Sequence, residues 1–144
     1  MAKSLFSKEQ IQQITDAIKE AELNTSGEVR VHIEQKCKGD VLDRAAAVFE
    51  TLKMHKTEER NGVLFYLAVK DHKFAILGDA GINQKTGDQF WSEIKDLMQD
   101  KFRTGLFTDG LTEGIKMAGL KLKAHFPYQS NDKNELSDEI SFGQ

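Results

Sequence analysis

Cysteine is nearly missing from this chain. Of 144 residues only Cys37 carries a thiol, so no internal disulfide can form and a reducing compartment, the cytoplasm, is expected. Cys37 itself lies in a lysine-flanked loop with no positioned base beside it in the sequence, and reads as an incidental thiol. Long apolar runs are missing too. No segment approaches the roughly 20 residues needed to span a bilayer, and the opening MAKSLFSKEQ lacks the apolar core of a signal peptide. Membrane insertion is therefore not expected. There is no basic block with interleaved aromatics, and a net charge of −3 argues against general affinity for nucleic acid or anionic membranes. The strong catalytic signatures are also lacking: no Walker-type phosphate loop, no dinucleotide glycine fingerprint, no GxSxG and no HExxH. His32, His55, His72 and His125 stand far apart without zinc-ligand spacing, and read as structural or solvated.

What is present is an ordinary globular composition, 39% hydrophobic and 30% charged. A chain of this length fits one domain that buries roughly 70% of its unfolded surface. Its centre is the stretch Arg60 to Asn83, RNGVLFYLAVKDHKFAILGDAGIN. Val63 to Val69 is apolar almost without alternation, which suits a strand covered on both faces. A polar turn, Asp71-His72-Lys73, separates it from a second run, Phe74 to Leu77, and the pair reads as a hairpin.

Helices surround that hairpin. Ser7 and Gln10 form a capping-box pattern ahead of Ile11, Ile14, Ile18 and Ala21 on one face. EVRVHIE then alternates, with Val29, Val31 and Ile33 on one side and Arg30, His32 and Glu34 on the other. That pattern predicts a strand with one buried and one more polar face, at an edge or only partly covered. Asp40 caps a second helix with a stripe of Val41, Leu42, Ala45, Val48, Phe49 and Leu52. Strand, helix, strand favours a right-handed crossover with the two strands parallel. Gly78 to Gly87 reads as a polar loop. A third helix is expected from about Asp88 to Phe102, with Trp91 packing beside its stripe, and Arg103-Thr104-Gly105 ends it. A fourth carries Leu111, Ile115, Ala118 and Leu122 and stops at His125-Phe126-Pro127. Gly114 and Gly119 inside it cost about 1 kcal/mol each relative to alanine, which points to close approach of another backbone. The reading is one α/β domain over residues 1–127, of order α-β-α-β-β-α-α. A polar, mostly acidic and flexible tail follows over 128–144, whose Ile140 and Phe142 are candidates to dock on the domain or on a partner.

This topology gathers chemistry at one sheet edge. With the first two strands parallel and the third running back, Ser26 to Glu28, Glu58 to Asn61, Asp79 and Asn83 converge. Carboxylate and amide oxygens from several loops are what calcium or magnesium requires, so Glu28, Glu59, Asp79 and Asn83 are the candidate metal ligands. Arg60, with Asn61, is the candidate phosphate or anion site. The bland alternative is a set of helix caps and surface ion pairs. The opposite edge holds Lys36, Cys37, Asp71 and His72, which make no recognisable site.

The hairpin, the downstream FRTGLFTDGLTEGI and the upstream SGEVRVHI together resemble the TPM domain family over roughly Ser7 to Phe126. The resemblance implies a three-layer α/β/α sandwich around a small mixed sheet. It points to Arg60, Asn61, Gly62, Gly78, Asp79 and Gly81 as loop residues, with Gly105, Gly110 and Gly114 as backbone positions. Some plant thylakoid-lumen members are associated with acid phosphatase activity and photosystem repair, an animal branch is accessory to a membrane receptor, and some members bind divalent cations. Many relatives carry a signal peptide and a C-terminal membrane helix. Where the family usually has a short Gly-x-Gly loop, this chain reads Gly78-Asp79-Ala80-Gly81. Two functions follow as expectations. One is a non-enzymatic interaction or regulatory module with a protein partner and a bound cation. The other is a metal-dependent phosphatase acting on phosphomonoesters.

Overall fold

The computed structural model describes residues 2–87, 89–128 and 136–143. After a 3₁₀ turn at Ala2–Leu5 come α1 (Lys8–Asn24), β1 (Glu28–Glu34), α2 (Val41–Thr51), β2 (Gly62–Ala68), β3 (Lys73–Gly78), α3 (Ala80–Thr86), α4 (Ser92–Arg103), α5 (Phe107–Leu122) and β4 (Ser141–Phe142). The sheet order is β3-β2-β1-β4, with β1 parallel to β2 and β4 and antiparallel pairing between β2 and β3. This is the α/β/α sandwich on a small mixed sheet that the resemblance implies, and it contains the α/β order that the pattern predicts. Among the described residues no helix is long and apolar enough to cross a membrane.

Local chemistry sets the helix starts. Ser7 Oγ accepts from Gln10 N at 3.1 Å while Gln10 Oε1 accepts from Ser7 N at 2.8 Å. Asp40 accepts from the amides of Leu42 and Asp43. On one face of the sheet, Val29, Val31, Ile33, Val63, Phe65 and Leu67 pack against α1, α4 and α5. On the other, Leu64, Tyr66 and Ala68 meet Ala45, Val48 and Phe49 of α2. Every residue of β2 is buried, as a strand covered on both sides should be.

Three expectations are corrected. The stretch after Gly78 is the short helix α3 and not a loop, because Asp79 caps it through Ala80 N and Ile82 plugs the core. The helix expected from Asp88, which lies outside the described residues, starts at Ser92; Trp91 just before it is buried. And β1 is an interior strand, not an edge: residues 141–142 pair with His32 and Ile33, and its polar side is mostly buried. Of the two possibilities for Ile140 and Phe142, the domain takes both against its core; residues 129–135 and Gln144 lie outside the described set.

The glycines of α5 serve close packing. A Cβ on Gly119 would sit 2.7 Å from the Cα of Ala21, so α1 and α5 touch backbone to backbone there. Gly110 and Gly114 instead receive the side chains of Phe102 and Met98. We expect Gly119→Val to lower stability by about 1–3 kcal/mol, the usual cost of overpacking. Exposed Leu120→Val next to it should stay within about 0.5 kcal/mol. Equal urea midpoints for the two variants would contradict this packing.

Candidate functional site

The amino-terminal edge assembles as the topology requires. The β2–β3 ladder brings Asp79 beside Gly62, whose carbonyl accepts from Asp79 N at 2.9 Å. The β1–β2 pairing sets Glu28 opposite Gly62, with Glu28 N donating to Asn61 O at 3.2 Å. Arg60 takes a left-handed backbone, φ +52°. Its guanidinium grips Asp79 through Nε at 2.7 Å and Nη2 at 2.8 Å, a bidentate fork. Gly81 is required here: a Cβ would lie 2.2 Å from Glu59 O and 2.7 Å from Arg60 O, which accepts from Gly81 N.

Each candidate ligand is engaged. Asp79 Oδ1 also accepts from Ala80 N, and Asn61 Nδ2 donates to Ser26 O. Glu59, exposed, accepts from Ser26 Oγ at 3.3 Å. The buried Glu28 carboxylate accepts from Leu136 N at 2.6 Å. Asn83, exposed, turns its Nδ2 to Gly78 O. Gly62 lies under Met54 O and Gly78 against Trp91 and Ile82, while Gly105 ends the α4 region at φ +79°, far from this edge in sequence. Among the described residues no three His, Cys, Asp or Glu side chains are grouped to hold a metal ion. With a guanidinium on both Asp79 oxygens, the arrangement does not suit a divalent cation unless Arg60 turns away.

A second polar cluster, which the sequence reading passed over, sits at the opposite end of β1. Glu34 accepts from Arg44 Nε at 3.0 Å, from Arg44 Nη2 at 2.5 Å and from the Tyr66 hydroxyl. His32 Nε2 lies 3.1 Å from Glu34 Oε1, and its Nδ1 2.9 Å from Ser141 Oγ. An ionised carboxylate only accepts, so Nε2 carries the proton and Nδ1 accepts from the Ser141 hydroxyl. The His32 ring also stacks on Tyr66. Burial opposes the Glu34 charge, yet the hydrogen bonds from Arg44, Tyr66 and His32 outweigh it and hold the carboxyl at about 2. Burial pushes His32 below its ordinary value despite Glu34. Burial and the Glu34 bond push Tyr66 up. Hydroxyl, imidazole and carboxylate connect here as in a nucleophile relay. However, Arg44 and Tyr66 share the carboxylate, and the nearby Gly143 N–H is committed to Ile33 O. The geometry is that of a buried hydrogen-bond network. The one signal in the sequence was the i, i+2 spacing of His32 and Glu34 on one strand face; Tyr66 hides in an apolar run, and Ser141 is 109 residues away.

The comparisons with known proteins fit this architecture. A family model of the TPM domain matches residues 2–120. The chain is similar to the BA42 protein of the psychrophilic bacterium Bizionia argentinensis, known by NMR, at 46% identity over 96% of this chain and 95% of that one, with a TM-score of 0.91. Two more distant structures share the fold. The N-terminal domain of a P. gingivalis protein has 19% identity over 88% of this chain and 83% of its own, TM-score 0.69. The N-terminal domain of cg2496 from Corynebacterium glutamicum has 12% identity over 96% and 80%, TM-score 0.64. No curated protein matches.

The Glu34 network has a pH signature. A carboxyl held below its unfolded value of 4.5 contributes stability that is full above 4.5 and is lost as pH falls through 2. That contribution is on the order of 3 kcal/mol. We expect Glu34→Gln to be less stable at neutral pH and to lose less stability between about pH 4.5 and 2 than the parent. Parallel urea-stability curves over that range would contradict the assignment.

Proposed function

We propose that this chain, which belongs to the TPM domain family, works as a non-enzymatic interaction and regulatory module whose β1 edge receives an extended segment. The observation that supports this reading is the seating of residues 136–143 on that edge. Ser141 and Phe142 pair in parallel with His32 and Ile33, and Gly143 N donates to Ile33 O at 2.8 Å. Two residues of ladder supply little backbone bonding, so side chains make the seat. Leu136 enters the α2-side core, Ile140 and Phe142 the α1 and α5 side, and Ser141 bonds His32. Strand addition with alternate side chains in pockets is a general mode of peptide recognition. A protein partner of this edge offers a similar segment, apolar beside a small residue, in competition with the chain's own.

The competing reading is a divalent-cation site at Glu28, Glu59, Asp79 and Asn83, with Arg60 and Asn61 on a phosphate. Calcium takes six to eight oxygens and magnesium six in near-octahedral array, and Asp79 joins such a set only after leaving Arg60. The interaction reading leaves the Arg60–Asp79 pair in place and requires instead that the chain's own segment lift from β1.

A peptide with the sequence of residues 136–143, titrated into ¹⁵N-labelled full-length Gly143→Val protein, tests the proposal. That substitution loosens the chain's own segment, since a Cβ at 143 meets Glu34 Oε1 at 2.4 Å. Saturable shifts centred on His32 to Glu34, weaker in the parent protein, are expected; a variant that shows none contradicts the reading. On p-nitrophenyl phosphate with magnesium, turnover should not depend on Asp79. Turnover abolished by both EDTA and Asp79→Ala would favour the phosphatase.

A further inference from the structure

We propose that residues 136–143 form a latch on the β1 edge whose closure is coupled to two protonation sites, Glu22 at one end and His32 at the other. The inference takes the β1 edge as the receiving site proposed above and names its regulation. At the first end the segment contacts two carboxyl groups of the domain, Glu28 and Glu22. Glu28 accepts from Leu136 N, and Glu22 accepts from Val29 N at 3.1 Å and is hydrogen-bonded to the Asp138 side chain. Two carboxyls share a hydrogen bond only when one of them holds a proton. Closure therefore brings Asp138 onto Glu22 together with a proton. At the second end Ser141 covers His32, which also faces Glu34 and Arg30 of its own strand, Arg44 of α2 and Tyr66 of β2. The closed latch buries His32 in a contact that the neutral ring satisfies at both nitrogens. Gly143 completes the lid, with no space for a Cβ between Glu34 Oε1 at 2.4 Å and His32 Nε2 at 3.0 Å.

The signs follow from linkage. Burial first, then the bond to Asp138 and the nearby charges of Asp138 and Glu28, push Glu22 up to about 9 from 4.5 in the closed state. Lifting the latch removes Asp138 and lets that value fall. Closure thus takes up a proton at Glu22 and weakens as pH rises toward about 9. His32 behaves oppositely. Burial holds its closed-state value below the ordinary imidazole value, so closure releases a proton there and weakens as pH falls through the acid range. Each site changes the closing equilibrium by up to about tenfold per pH unit in its own range.

Hydrogen exchange of the Gly143 amide on the full chain, corrected for the intrinsic rate, reads the opening. In the parent, protection falls toward about pH 9 by up to about tenfold per unit, and the His32 contribution opposes that fall on the acid side. Glu22→Gln abolishes the alkaline fall, so that protection rises with pH through the acid range and then stays level. His32→Gln removes the opposing acid-side contribution and leaves the alkaline fall alone. Asp138→Asn, a change on the latch itself, flattens the alkaline branch without touching the domain. Profiles that coincide for the parent, Glu22→Gln and Asp138→Asn overturn the latch. Since this readout uses the chain alone, it can fail while the 136–143 peptide still binds, and peptide binding can fail while the profiles separate as stated.

Discussion

Glu28, His32 and Glu34 project from one face of β1 and are all buried, and the structure is arranged to meet their demand for partners. Leaving any one of them unpaired costs a few kcal/mol, comparable to a sizeable part of a small domain's stability. The partners come from three directions: Arg44 on α2, Tyr66 on β2, and the segment 136–143, which supplies the Leu136 amide to Glu28 and the Ser141 hydroxyl to His32. The apolar side chains of that segment close both faces of the sheet at the same time. Sheet completion and polar satisfaction are thus one event.

The amino-terminal edge obeys a different constraint. Arg60, in a left-handed backbone, and Gly81, which a Cβ would exclude, let the β2 entrance and the start of α3 approach within hydrogen-bond range. Asp79 then serves three tasks: ladder donor to Gly62, cap of α3 and partner of Arg60. A surface pair of that kind contributes little by charge alone, since its arginine is half exposed. Its value lies in fixing the geometry of two crossing loops.

Much of this was legible in the residues. Periodicity placed α1, α2 and α5, the crossover argument made β1 and β2 parallel, and from these Arg60, Asp79 and Glu28 fell at one edge. Three features were not legible, for physical reasons. Helix α3 has one buried apolar residue, Ile82, so it carries no period to detect. Strand β4 is two residues long and owes its place to contacts made over 100 positions away. And the alternation of EVRVHIE shows that two faces differ, but not whether the polar one meets water or a built set of partners; that depends on Arg44, Tyr66 and Ser141, which no local pattern connects. The metal and phosphate expectation for the first edge came from residue types alone, and residue types do not reveal that Arg60 and Asp79 hold each other.

The central claim is that residues 136–143 complete the sheet by satisfying β1. The most direct test is the through-hydrogen-bond scalar coupling between Gly143 N and Ile33 C′ in the isotope-labelled full chain near pH 6. The account predicts that this coupling is observed, with extended-strand chemical shifts for Ser141 and Phe142. Its absence, with random-coil shifts from Ser141 to Gly143, would contradict it.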